Sequence, residues 1–182
     1  MSNKKNEENL EAEDKIKTLQ FIHDKNYQLI ELADSKATTI LTINGIILTV
    51  VFALVSFTPE SFTISNPMVI VRLVFFGLYF LFAGGSIIFS IMTISPLTVT
   101  GIQPEKDIFY YKNILQHKDQ DEYADAVKNK LDDFALILRS YSYQIYSVSI
   151  VNERKYKNIR RCVWFLFGAL VMLICLIIVM FI

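Results

Sequence analysis

Three long stretches without a charged residue dominate the hydropathy pattern: Ala37 to Phe57, Leu73 to Ile94 and Cys162 to Ile182. Each has about 20 or more residues, and at 1.5 Å of rise per residue a helix of that length crosses a hydrocarbon core of about 30 Å. The pattern therefore predicts an all-α membrane protein with three transmembrane helices. The expected boundaries are 37–57 for the first span, 68–94 for the second, with Arg72 reaching toward the interface on its long stem, and 162–182 for the third. The first run follows a charged segment and has no short basic region leading to a cleavage site, so it reads as an uncleaved anchor.

Outside these runs the periodicity is helical. Residues 1–8 are polar without a period and are expected to be disordered. From 9 to 36 there is neither Gly nor Pro, and Ile16, Leu19, Ile22, Ile30 and Ala33 fall on one arc at 100° per residue, which predicts an amphipathic helix running into the first span. A short loop, 58–67, joins the first two spans. Pro96, Gly101 and Pro104 break the chain after the second span, and Pro104 suits the start of a helix reaching about His117. Beyond the polar stretch HKDQDE, the series Leu131, Leu138, Ile145, Asn152 and Ile159 keeps a heptad-like stripe. It predicts one long helix from Asp132 into the third span, about 75 Å in length. The amphipathic helix before the first span is its natural partner.

Charge placement sets the orientation. Loop 58–67 has no Lys or Arg, whereas Lys36 precedes the first span and Arg154, Lys155, Lys157, Arg160 and Arg161 crowd the entry to the third. By the excess of basic residues on the inner side, the amino terminus and segment 95–161 face the cytoplasm. The whole chain of 182 residues is electrically balanced, with 18 Lys+Arg against 18 Asp+Glu, so nonspecific binding of DNA or RNA has no electrostatic basis. Cys162 and Cys175 lie on one helix, too far apart to pair with each other.

The chemistry of catalysis is sparse. His23 and His117 are the only histidines, and no nucleophile and base can be paired from spacing. His117 lies near Asp119, Asp121 and Glu122, but without the Gly and spaced carboxylates of a calcium loop this reads as a solvated turn, not a metal site. His23 is read as an interface residue. No enzyme activity, metal or cofactor is expected. In the first span, Thr38, Thr42, Gly45, Thr49, Ala53 and Ser56 share one face, suited either to close helix packing or to a polar pore lining. Asn44 projects elsewhere and needs a partner across a helix boundary; Ala83, Ser86 and Ser90 offer a complementary face on the second span. The pair Gly84-Gly85 is expected to loosen or kink that helix. The basic run at 154–161 reads as a topology determinant, an anionic-lipid contact or a phosphate clamp. Tyr141, Gln144 and Asn152, on the same helix, are side chains of the kind that hold a nucleobase.

Certain residues suggest a narrower reading: Ala33-Asp34-Ser35-Lys36-Ala37 entering a span with Ile43-Asn44-Gly45-Ile46, then Lys112-Asn113-Ile114-Leu115, Tyr141, Gln144-Ile145, and Lys155-Tyr156 before Arg160. From about Lys17 onward the chain resembles the transmembrane effectors of Pycsar antiphage systems. The resemblance implies a protein of the bacterial inner membrane that responds to cyclic UMP or cyclic CMP, made by a partner pyrimidine nucleotide cyclase, by impairing the membrane and causing abortive infection. The competing class is a constitutive membrane scaffold or small pore subunit with a protein-binding helical stalk. The ligand-binding residues expected on chemical grounds are Lys36, Tyr141, Gln144, Asn152, Lys155 and Arg160. Those expected in helix packing or switching are Asp34, Thr42, Asn44, Gly45 and Thr49. Asp34 is expected to meet one of Arg154, Lys155, Arg160 or Arg161, and the chain to form a homo-oligomer in the lipid bilayer.

Overall fold

A computed structural model describes residues 2–57, 68–96, 108 and 111–181. Among these every regular element is helical: α1 (Ser2–Phe57), α2 (Val69–Ile94), α3 (Tyr111–Ile114), α4 (Gln120–Leu131) and α5 (Phe134–Phe181). Three of them, over Ala12–Phe57, Val69–Ile94 and Phe134–Met180, are long and apolar enough to cross a membrane. The loop expected at 58–67 and the helix start expected at Pro104 lie outside the described residues.

Two compact units divide the chain. A polar unit takes Met1–Ile30 and Leu97–Asn152, and a membrane unit takes Glu31–Pro96 and Glu153–Ile182. α1 and α5 each contribute residues to both.

The helix starts differ from the expectation in two places. α1 begins at Ser2, taking in the segment expected to be disordered, because nothing in it breaks a helix. The long helix begins at Phe134, not Asp132. Leu131 closes the separate α4, Asp132 is its C-cap, and the Asp133 carboxylate accepts from the Ala135 backbone N–H at 2.9 Å, which starts α5 afresh. Asp119 caps α4 in the same way, accepting from the Glu122 N–H at 2.8 Å, and Asp121 and Glu122 in its first turn with Lys128 and Lys130 in its last complement the helix dipole.

One line of covered positions on α1 advances by alternating steps of four and three, through Ala12, Ile16, Leu19, His23, Asn26, Ile30, Ala33, Ala37, Ile40, Asn44, Ile47 and Val51, with Asp34, Leu41 and Leu48 half-buried beside it. That spacing is a heptad seam. It differs from the expected arc in passing through His23 instead of Ile22, which is exposed. On α2 the buried positions Val69, Arg72, Tyr79, Ala83, Ser86, Ser90 and Thr93 keep the same rhythm. On α5 the expected stripe is displaced. Ile137, Ser140, Gln144 and Ser147 are buried while Leu138 is exposed, so the inner face of this stretch is rotated by one residue and is largely polar.

The core of the membrane unit is Val51, Tyr79, Ala83 and Ala169, with Ile47, Phe76, Phe82 and Leu173 among the residues packed on it. Hydrocarbon surroundings remove the usual drive to hide apolar groups, so shape and close approach hold such helices together. Two glycines provide the approach. A Cβ on Gly85 would sit 2.5 Å from Cδ1 of Phe165, and one on Gly168 would sit 2.6 Å from Cδ1 of Phe82. Each ring fills the notch left by the other helix's glycine. α2 runs unbroken through Gly84 and Gly85, so Gly85 is a packing notch within a continuous helix where sequence suggested a kink. Around Gly84, by contrast, no atom lies within 4 Å of an added Cβ. Gly85→Ala is therefore expected to destabilise the protein by about 1–3 kcal/mol through overpacking, whereas Gly84→Ala is expected to be neutral or stabilising by up to about 1 kcal/mol through helix propensity. Thermal unfolding of the two detergent-solubilised variants checks this; equal melting temperatures would contradict the notch.

At the end of α2 near its N-terminus, Arg72 is buried and its Nε donates to the Val179 carbonyl at 3.1 Å. This places a cation against the last turn of α5, where helix carbonyls lack internal partners, in place of the outward reach expected from its stem length.

Candidate functional site

In the polar unit, α1 and α5 meet along a seam of hydrogen-bonding side chains. Gln20 Nε2 lies 3.4 Å from the Tyr141 hydroxyl. The His23 ring packs edge-on to Tyr141, at 6.2 Å between centroids, and tilted on Tyr27, at 4.7 Å. Farther along, Asn152 Nδ2 donates to the Asn26 carbonyl at 2.9 Å, and the Ser149 hydroxyl donates to Asn26 Oδ1 at 3.3 Å. Each such bond contributes only about 0.5–1.5 kcal/mol net, so this pairing is held by many weak polar contacts where an apolar core would otherwise stand.

That seam opens into a cleft of about 410 Å³ lined by Gln20, His23, Asp24, Tyr27, Tyr141 and Gln144. The volume falls within the range of small-molecule sites. Two phenol rings and an imidazole supply flat faces, and two carboxamides supply donors and acceptors in either orientation. Gln144 is buried, whereas Asp24 keeps 73% of its side chain exposed. The helical period makes the cleft: Gln20, His23, Asp24 and Tyr27 are spaced three and four apart and share one face of α1, and Tyr141 and Gln144 share one face of α5.

The membrane unit has a second polar feature, a column inside its three helices. Asn44 Nδ2 donates to Ser86 Oγ at 3.0 Å and to its own Ile40 carbonyl. The Cys162 thiol donates to the Ser86 carbonyl at 3.2 Å, and its sulfur lies 2.9 Å from Ser90 Oγ. The Lys155 ammonium is buried; it pairs with Asp34 and donates to the Thr93 carbonyl at 2.7 Å. Buried polar groups in a low-dielectric interior need such partners.

A model of the Pycsar effector protein domain matches residues 18–182. The chain belongs to the Pycsar effector family. No curated protein and no solved structure matches it significantly. It is thus a membrane-spanning effector of an antiphage defence system, and the family match spans the polar unit's cleft as well as all three spans.

Within this Pycsar effector, the residues expected to bind a ligand are divided. Tyr141 and Gln144 line the cleft. Asn152 is buried on the same seam, bonded to Asn26. Lys36, Lys155 and Arg160 belong to the membrane unit; there Lys36 stands over the Tyr156 ring at 6.0 Å and Arg160 is exposed, while Lys155 is engaged by Asp34 and Thr93. Sequence reasoning missed Gln20, Asp24 and Tyr27 and read His23 as a bland interface residue. The signal was present in the four-three spacing, which puts His23 and Asn26 at core positions of a heptad, where polar residues are uncommon.

Among the packing residues, Asn44 and Asp34 find partners inside the membrane unit. Thr42, Gly45 and Thr49 are exposed and lie outside its interior. Ala83, Ser86 and Ser90 consequently pack on the Asn44 and Cys162 side, not on the threonine stripe. The turn around His117 is exposed as expected at 118–121, but the His117 ring itself is covered and packs on Tyr123, at 5.5 Å between rings, and among the described residues no three His, Cys, Asp or Glu side chains converge.

Proposed function

We propose that this Pycsar effector binds a cyclic pyrimidine nucleotide, cyclic UMP or cyclic CMP, produced by a partner cyclase, and answers by impairing the bacterial inner membrane. It acts by binding, without catalysis of its own, and its amino terminus and the polar unit face the cytoplasm, where the messenger is made. The cleft carries this reading. Its paired aromatic faces and carboxamides match the needs of a pyrimidine, which stacks on rings and is read along its edge by donors and acceptors. The two helices that line it, α1 and α5, are also two of the three spanning helices. α5 has no Gly or Pro between Tyr141 and Phe167, so no break in the chain absorbs a rotation begun at the cleft.

The protein is further proposed to act as a homo-oligomer, since three spans do not enclose a useful pore. The polar unit supports this by its inverted distribution. Its seam holds Gln, His, Asn and Ser, while Phe21, Leu29, Leu136 and Tyr146 stand exposed, an apolar surface suited to a partner copy.

Dye-loaded liposomes carrying the purified full-length protein test the function. Leakage is expected only on adding cyclic UMP or cyclic CMP, and Tyr141→Ala is expected to raise the messenger concentration needed by about ten-fold or more, the scale of one lost base-stacking contact. Leakage that ignores both nucleotides would favour a constitutive pore subunit.

A further inference from the structure

The cleft contains one group whose hydrogen-bonding role is fixed. Tyr hydroxyls, Gln carboxamides and a neutral His ring can each donate or accept, but a carboxylate only accepts. Whatever ligand edge faces Asp24 must therefore present a donor and must not present the anionic phosphate, which a carboxylate repels. Resting on the reading of this cleft as the messenger site, we propose that Asp24 reads the ribose 2′-hydroxyl of the bound cyclic nucleotide.

A 3′,5′-cyclic monophosphate has both its 3′ and 5′ oxygens tied up as phosphate esters. The 2′-hydroxyl is the single donor left on the sugar, and it is common to the uracil and cytosine messengers. Burial orders the rest of the ligand. Gln144 is the deep side chain, with 9% exposure, so the base occupies the inner end, beside Gln144 and the Tyr141 ring. Asp24 is at the exposed rim, where the sugar of a ligand so oriented lies. Among the described residues no Lys or Arg lines the cleft, so in this orientation the phosphate points outward into water, where it keeps its hydration. Asp24 Oδ1 lies 3.5 Å from His23 Nδ1, and the imidazole limits the directions in which the carboxylate turns. The site thus distinguishes a ribonucleotide from its deoxy counterpart by a charge-assisted hydrogen bond and gains little from the phosphate.

Titration calorimetry on the full-length protein in detergent tests this, with cyclic UMP, cyclic CMP and the 2′-deoxy analogue of whichever binds tighter. Wild type is expected to bind the ribo form about 10- to 100-fold more tightly than the deoxy form. In Asp24→Ala the two forms should bind alike, both near the wild-type affinity for the deoxy ligand, with the thermal unfolding of this exposed-site variant unchanged. If Asp24→Ala keeps the full ribo-to-deoxy ratio, or wild type shows no such ratio, the assignment of Asp24 is overturned while the cleft remains the messenger site. If wild type binds neither messenger, or Tyr141→Ala and Gln144→Ala both leave affinity unchanged, the cleft reading falls and the assignment with it.

Discussion

Asp34→Ala is expected to lower the stability of the folded protein by roughly 2–3 kcal/mol, and Lys155→Met in the same chain to restore most of it. The Lys155 side chain is only 4% exposed, against 36% for Asp34. Removing the carboxylate leaves an ammonium in a low-dielectric setting with the Thr93 carbonyl as its remaining partner among those described above. Breaking a fully buried pair costs about 3–5 kcal/mol; the partial exposure of Asp34 allows water to replace part of what is lost, which sets the smaller figure. Replacing the cation by Met removes the stranded charge while keeping an unbranched stem in the same space. Thermal unfolding of wild type, Asp34→Ala and the double variant in one detergent measures this. A single variant that melts with wild type would show that the pair is ornamental, and a double variant less stable than the single one would show that Lys155 has value apart from Asp34.

The spans were legible because a run of some 20 uncharged residues has few alternatives to a membrane helix. That Asp34 pairs with one of the basic residues before the third span was also legible, since an acidic group at the mouth of one span needs a cation from another. The inner face of α5 was not. Periodicity arguments assume that apolar residues turn inward, so Leu131, Leu138 and Ile145 drew the stripe. In the structure Ser140, Gln144 and Ser147 occupy it instead, because the opposing face of α1 brings Gln20, His23 and Asn26, and Tyr141, Ser149 and Asn152 beside them bond across to Gln20 and Asn26. The cleft was half visible for the same reason. Tyr141 and Gln144 stood out by chemistry on one helix, but their counterparts on α1 are distant in sequence, and no single-helix pattern joins Gln20 to Tyr141.

Gly45→Leu is expected to abolish assembly and messenger-dependent leakage while leaving the monomer's fold intact. In the membrane unit, Gly45 has no atom within 4 Å of where its Cβ would be, and a leucine in a helix interior is favoured over glycine by nearly 1 kcal/mol. Among the described residues nothing stands where the first side-chain carbon would go. The surrounding stripe is smooth: Thr38, Thr42, Thr49 and Ser56 each donate to the carbonyl four residues earlier, at 2.9–3.0 Å. With their protons held by the helix itself, these side chains turn no donor outward and are small enough for a second helix to approach closely. A leucine at its centre holds that helix away. Crosslinking in native membranes, run beside thermal unfolding, decides the matter. Loss of the higher bands with an unchanged melting temperature is the expected result. An unchanged ladder with unchanged leakage would show that this face meets lipid alone, and an unchanged ladder with altered leakage would return it to the role of a pore lining.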